Sequence, residues 1–383
     1  MHLIIAEKHD AAKRIAQILA GGKPKSLRVA GVEAFQFDDR VVLGLSGHIV
    51  GIDYPPGYNN WQKVDCKDLI RAEIVVRPIQ EKIISALHKL GKEADRVTIA
   101  TDYDREGELI GVEALKIVEE AKPKIKADRV RYSAIVKDEI IKAFQDSGTV
   151  DYDLAASGEA RQIIDLVWGA ALTRYISLTS GRLGKEFLSV GRVQSPTLAL
   201  IVDREKEIQS FVPQPYWEIF ADLEKELRVQ HAKGRIWEKE EVDGIVSRLG
   251  PEGIIKSIES KQRIDRPPAP FDTTSFIAAA SGIGLSAANA MRIAEWLYTN
   301  GFISYPRTDN TVYPPSIDLT GLTRHFLKGA FAQEAARLLQ GKMQPTRGKR
   351  ETTDHPPIYP TAALERGSLK EDQWKVYELV VRR

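Results

Sequence analysis

Val97-Thr98-Ile99-Ala100 runs directly into Thr101-Asp102-Tyr103-Asp104-Arg105-Glu106-Gly107-Glu108. The first four residues read as a buried strand, and the apolar spacing from Glu108 to Glu120 reads as a helix. The polar string between them is therefore a strand-to-helix junction, the place where open α/β sheets usually bind their ligands. Similar units flank it. Leu3-Ile4-Ile5-Ala6 precedes a helix near Ala11 to Leu19 with apolar residues at 11, 12, 15, 16 and 19. Val41 to Leu45 and Ile74 to Val76 are further apolar runs, and helical patterns cover Ile79 to Leu90 and Lys137 to Phe144. This alternation predicts an α/β domain over residues 1–148 with a largely parallel sheet.

Beyond Gly148 the pattern changes. Asp151 to Ser177 and Ser195 to Ile208 read as helices on either side of a polar, glycine-rich stretch, Thr179 to Gly191. Residues 216–260 carry alternating segments such as Trp217-Glu218-Ile219-Phe220-Ala221-Asp222-Leu223, which read as β structure. Arg266-Pro267-Pro268-Ala269-Pro270 marks a boundary. Two helices follow, near 272–281 and 286–299, split by Gly282 and Gly284, with Asn300-Gly301 as a left-handed stop. A helix, turn, helix spacing is common among nucleic-acid-binding proteins without being specific to them.

Composition excludes whole classes. With 383 residues, 43% of them hydrophobic and 28% charged, the chain can bury a sizeable core and is neither disordered nor collagenous. It has no run of ~18 apolar residues, and MHLIIAEKHD lacks the shape of a signal peptide, so a cytoplasmic, non-membrane protein is expected. A single cysteine, Cys66, forbids an intrachain disulfide and any cysteine-based zinc site. Lys+Arg 55 against Asp+Glu 53 leaves a net charge of only +2, so any anion-binding surface must be local. No phosphate-binding glycine string of Walker or dinucleotide type is present, which argues against a nucleotide cofactor.

The candidate chemistry lies in separated strings. Asp102, Asp104 and Glu106 alternate along the junction, and Glu7 follows another strand, so hard oxygen donors suited to Mg²⁺ could converge. Helix capping by Asp104 with Glu106 at a positive helix end accounts equally for the same residues. Phe302-Ile303-Ser304-Tyr305-Pro306-Arg307-Thr308-Asp309 places an arginine two residues from a tyrosine. A phenol with an ordinary pKa of about 10 needs such a cation before it can act as a nucleophile; a tyrosine packed beside a turn is the plainer alternative. Arg161, Arg174, Arg182, Lys185, Arg192, Gln194 and Ser195 form one basic, hydrogen-bonding cluster, and Lys342, Arg347, Lys349 and Arg350 crowd the approach to Asp354-His355. They suit phosphate contacts, and equally a solvated surface with Arg161 paired to Asp165.

Taken together, the strings resemble the type IA DNA topoisomerases, of archaeal kind. The resemblance rests on LIIAEK at 3–8, ATDYDREGE at 100–108, GRVQSP at 191–196, SYPRTD at 304–309 and DHPPIYPT at 354–361, in the family's order. It implies a Toprim domain at 1–148, part of a helical base at 149–213, part of a β-rich arch at 214–265, a catalytic tyrosine domain at 266–365, and the start of a return to the arch at 366–383, together a toroidal clamp. It further implies that Tyr305 attacks one DNA strand and keeps its 5′-phosphate, with Arg307 stabilising the scissile phosphate. Glu7 would sit beside that phosphate, Lys8 would protonate the leaving 3′-oxygen, and His355 would help position the phosphate. Asp102, Asp104, Glu106 and Glu7 would hold Mg²⁺, while Arg161, Arg192, Gln194 and Ser195 would bind the strand.

His9 stands where the family commonly has proline. Relatives continue past the point matching Arg383, so the resemblance implies a truncated chain in which cleavage is better preserved than full relaxation. A monomer acting on single-stranded or underwound DNA is expected. The competing readings are a Toprim nuclease or primase, which would need no tyrosine, and a fragment that binds single strands without cutting them.

Overall fold

A computed structural model describes all 383 residues, the side chain of Lys225 excepted. The chain divides into two compact units, one of Met1–Ser189 with Arg266–Arg383, the other of Val190–Asp265.

The first unit is built on a six-stranded sheet. Its elements begin with β1 (His2–Ala6), α1 (His9–Ala20), β2 (Lys25–Val29), β3 (Val32–Phe37), β4 (Arg40–Gly44), β5 (Val50–Asp53), α2 (Asp68–Arg71) and β6 (Val75–Pro78). They continue with α3 (Glu81–Glu93), β7 (Arg96–Ala100), α4 (Arg105–Ala121), β8 (Lys126–Arg129), α5 (Lys137–Gln145) and α6 (Tyr152–Thr179). The sheet order is β2-β3-β4-β1-β7-β8. β1 lies at the centre, parallel to β4 with Leu3 opposite Val41, and parallel to β7 with Leu3 opposite Val97. Being covered on both faces, it reads as an unbroken apolar run. Leu3 and Ile5 pack under α3 and α4 in one core, while Ile4 and Ala6 join α1 and α5 in another.

The sheet is more mixed than expected. β2 and β3 form an antiparallel hairpin on β4, turned at Ala30 and Gly31 with φ of 49° and 83°. β2 is mostly exposed on this edge, so the hairpin left no apolar run to read. The run at Ile74 to Val76 also lies elsewhere: β6 pairs with β5 in a separate two-stranded sheet.

The C-terminal part of this unit is helical. Asp272 caps α9 (Thr273–Gly282) and Ser286 caps α10 (Ala287–Thr299), and the two helices bend by 116° across their junction. α10 ends where Gly301 (φ +70°) donates to Tyr298 O, and Phe302 N then donates to Leu297 O at 2.9 Å, closing the last turn. α11 (Leu319–His325), α12 (Ala332–Gln340) and α13 (Glu371–Arg382) complete the layer, with Phe331 stacked on Trp374 at 5.8 Å. Phe276, Leu297, Tyr298 and Tyr377 join the same core as Ile4 and Ala6, so the helical layer and the sheet share one interior.

The second unit holds α7 (Gln194–Ser210), the antiparallel pair β9 (Phe220–Leu223) and β10 (Leu227–Gln230), and α8 (Lys239–Val246). Trp217 and Ile236 add one bridge. Residues 216–260 are thus less β-rich than the alternation predicts. Glu240 and Glu241 in the first turn favour α8 electrostatically, and residues 253–270 have no regular structure. Among the described residues no single helix is long and apolar enough to cross a membrane.

Candidate active site

The site forms at the carboxyl ends of β1 and β7, where each strand hands over to its helix. Glu7 and Lys8 link β1 to α1, and 101–104 link β7 to α4. Asp104 is the N-cap of α4, its Oδ1 accepting from Glu106 N at 3.0 Å and Gly107 N at 2.8 Å. Capping and site construction therefore coincide. Gly107 is required here because a Cβ would lie 2.1 Å from Asp102 O and 3.1 Å from Glu7 Oε2. From below, the fully buried Arg129 pairs with Glu108 at 2.7 Å and donates to the carbonyls of Thr101 and Asp102, each at 2.9 Å. One guanidinium thus pins the junction. It escaped the sequence reading because β8 carries no apolar run.

Tyr305 is delivered to this junction from the helical layer. Ile303 and Pro360 form a bridge, Ser304 N donates to Tyr359 O at 2.9 Å, and Thr361 N donates to Phe302 O at 3.0 Å. The Ser304 and His355 strings are thereby sewn together. Thr273, at the start of α9, exchanges hydrogen bonds with Thr308 and donates to Pro306 O at 2.9 Å. Tyr305 N donates to Ser133 O at 2.7 Å, joining the loop to the segment after β8.

The Tyr305 hydroxyl donates to Asp104 Oδ2 at 2.6 Å. Only 4% exposed, it is held well above its ordinary pKa, first by burial and then by the negative charge of Asp102 and Asp104. His355 lies 4.5 Å from the tyrosine ring, centre to centre. Its Nε2 faces Tyr103 O at 2.8 Å and its Nδ1 faces Ser133 Oγ at 2.9 Å. A carbonyl can only accept, so the ring carries its proton on Nε2, and burial lowers its pKa toward the neutral form.

The carboxylates divide. Glu7 Oε2 accepts from Asp102 N at 3.3 Å, and Tyr298 donates its hydroxyl to Asp102 Oδ1 at 2.9 Å. Burial, reinforced by Asp102, pushes Glu7 up to about 8. Burial likewise raises Asp102, against the pull of Lys8 and Tyr298. Glu106 is half exposed and 3.8 Å from His48 Nε2, while His48 itself is held by Glu113 at 3.1 Å. Among the described residues no group of three or more such side chains converges as a metal cage.

Two cations face this acidic cluster. Lys8 Nζ lies 3.4 Å from Glu7, 3.8 Å from Asp102 and 3.9 Å from Glu295. Burial alone would lower its pKa, but Asp102, Glu7 and Glu295 outweigh it and the ammonium is raised. The Arg307 guanidinium is engaged by Glu295: its Nε donates to Glu295 Oε1 at 3.0 Å and Nη2 makes a second contact with the same oxygen. Tyr298 and Glu295 were missed in the sequence because both sit within the pattern of α10 and belong to none of the five strings.

Of the candidate strand-binding residues, Arg161 is exposed on α6 beside a cleft of about 260 Å³ lined with His48, Arg105, Glu106 and Gln162. Arg192, Gln194 and Ser195 belong to the second unit, at the start of α7, with the first two exposed.

Residues 2–135 match the Toprim domain family and residues 149–383 match a family described as DNA topoisomerase. The chain is 51% identical to DNA topoisomerase 1 of Archaeoglobus fulgidus, covering 100% of this chain and 57% of that protein. It is 45% identical to DNA topoisomerase 1 of Thermoplasma acidophilum, covering 99% and 50%. Full-length topoisomerase I from Thermotoga maritima superposes with a TM-score of 0.66 at 27% identity, over 99% of this chain and 59% of that one. The chain therefore spans only about half the length of the curated relatives it matches. On the five strings, the mixed α/β fold and these matches, the chain belongs to the type IA DNA topoisomerase family.

Proposed function

We propose that this chain carries the strand-breaking centre of an ATP-independent topoisomerase that cuts one DNA strand, lets another pass and reseals the break, relaxing negatively supercoiled DNA. The observation that carries the reading is the part-buried hydrogen bond from Tyr305 to Asp104, which brings the tyrosine loop onto the acidic strand-to-helix junction. In the reaction the phenolic proton passes to Asp104, the phenolate oxygen attacks phosphorus, and the bond to the 3′-oxygen breaks. Lys8 supplies a proton to that oxygen, Arg307 balances charge on the phosphoryl oxygens, and neutral His355 fixes the Tyr305 ring. Religation is the reverse, so the energy of the broken bond is kept in the tyrosyl ester.

A divalent cation fits the donor set. Glu7 is largely buried and Asp102 buried, two oxygen donors that repel each other with Lys8 as the nearest cation, and Mg²⁺ needs one or two carboxylates besides water and phosphate. When bound it would supply positive charge to the phosphoryl group. Asp104 and Glu106 stand beside this pair with their own partners, Tyr305 and His48.

We further assign residues 1–148 to the Toprim domain, 149–213 to the helical base, 214–265 to the arch, 266–365 to the tyrosine domain and 366–383 to the return to the arch, within a clamp that acts as a monomer on single-stranded or underwound DNA in the cytoplasm. Arg161, Arg192, Gln194 and Ser195 are assigned to the strand. The test uses a single-stranded oligonucleotide labelled at its 3′ end. Wild type should carry label on a denaturing gel and Tyr305→Phe should not. Cutting by Tyr305→Phe would establish a nuclease, and binding without label transfer in wild type would leave only a binding fragment.

A further inference from the structure

Glu295 is placed oddly for a site that must grip a phosphodiester. It lies in α10, 28% exposed, and reaches the acidic junction from the helical layer. One of its oxygens, Oε1, takes the Arg307 guanidinium, while the other, Oε2, faces Lys8 Nζ at 3.9 Å. A carboxylate that engages a guanidinium with one oxygen and an ammonium with the other presents the charge and the spacing of two non-bridging phosphate oxygens. Lys8 and Arg307 come from opposite sides of the junction, one following β1 and the other in the tyrosine loop. Glu295 is the group that joins them.

We infer that Glu295 is a place-holding anion: it occupies the position of the scissile phosphate between Lys8 and Arg307, keeps the two cations spaced for it, and must be displaced when a DNA strand enters. This rests on the proposed roles of Lys8 and Arg307 as phosphate-binding groups. Glu295 is thus a positioning residue acting through both cations. Its charge opposes the incoming phosphate, so neutralising it strengthens binding. A residue that merely supported the helix would not have that sign of effect, nor its dependence on salt.

The experiment measures the affinity of a fluorescein-labelled single-stranded oligonucleotide for the full chain by anisotropy, in chelator, at several salt concentrations. Folding of each variant is verified by thermal melting. Glu295→Gln keeps the shape and removes the charge. Affinity is expected to rise about tenfold at low salt, corresponding to loss of one close like-charge contact, and the gain should shrink as salt screens it. The gain should vanish when Arg307→Gln is combined with it. Unchanged or weaker binding by Glu295→Gln, while Lys8→Gln and Arg307→Gln each weaken binding, overturns the place-holding role and leaves the reading of the cations intact. Unchanged binding in Lys8→Gln and Arg307→Gln overturns that reading, and the inference with it.

Discussion

Arg129 shows how one side chain can hold a site it does not enter. Its guanidinium is wholly buried, paired to Glu108 and spread over the carbonyls of Thr101, Asp102 and Val130. Glu108 in turn accepts from Asp151 N at 2.8 Å, at the start of α6. Replacing Arg129 with methionine keeps much of the volume but strands the Glu108 carboxylate and unpairs the junction carbonyls. The expected cost is about 3–5 kcal/mol, measurable as a lowered urea midpoint, with loss of label transfer to Tyr305 even where the variant remains folded. Restoring wild-type stability with Arg129→Met alone would show that the ion pair contributes nothing net. Asp102 and Asp104 could be named from the alternating carboxylates at 101–108, because a strand end followed by a cap has a local signature. Arg129 could not: its importance comes from carbonyls 27 to 30 residues away.

At the scale of elements, the turn leaving α10 decides where Tyr305 sits. Gly301 has φ +70°, and a Cβ there would lie 2.3 Å from Arg14 Nη2 and 2.6 Å from Ile135 O. Arg14 cannot simply swing away, since its Nε donates to Ile135 O at 2.7 Å. Gly301→Ala therefore meets two penalties, about 1 kcal/mol for the left-handed backbone and a further ~1–3 kcal/mol for overpacking. Chemical denaturation should show both together, and label transfer should fall because Tyr305 follows four residues later. A variant as stable and as active as wild type would remove Gly301 from this role. The Asn300-Gly301 stop was legible because it is local chemistry. That it also lets Arg14 of α1 and the Ile135 carbonyl approach this turn was not, because Arg14 and Ile135 are distant in the chain.

At the scale of the molecule, the two units differ in how much they bury. The first has helices on both faces of its sheet and an interior shared with the helical layer. In the second, α7 has no buried residue, and Leu198, Leu200, Ile201, Phe211 and Val212 are each more than half exposed. Residues 253–268 are exposed throughout and without regular structure. Brief trypsin treatment should cut first at Lys256, Lys261 or Arg263, since open backbone of this kind fits a protease cleft while the buried strands and packed helices of the first unit do not. Initial cuts within β1, β7 or α4 would contradict this ordering of stability.

What could be read from the residues in order was whatever depends on near neighbours: the buried parallel strands as apolar runs, the helices as apolar periodicity, Asp104 as a cap, Gly301 as a stop, and the five strings that mark the family. Strands without an apolar run escaped that reading. β2 lies on an exposed edge, and β8 contributes Arg129 rather than a hydrophobic face. Partnership across the site belongs to the folded chain alone. Tyr305 meets Asp104 across 201 positions and His355 meets Tyr103 across 252. Arg307 meets Glu295 across 12 positions, where a carboxylate on α10 accepts two hydrogen bonds from its guanidinium and offers opposite charge.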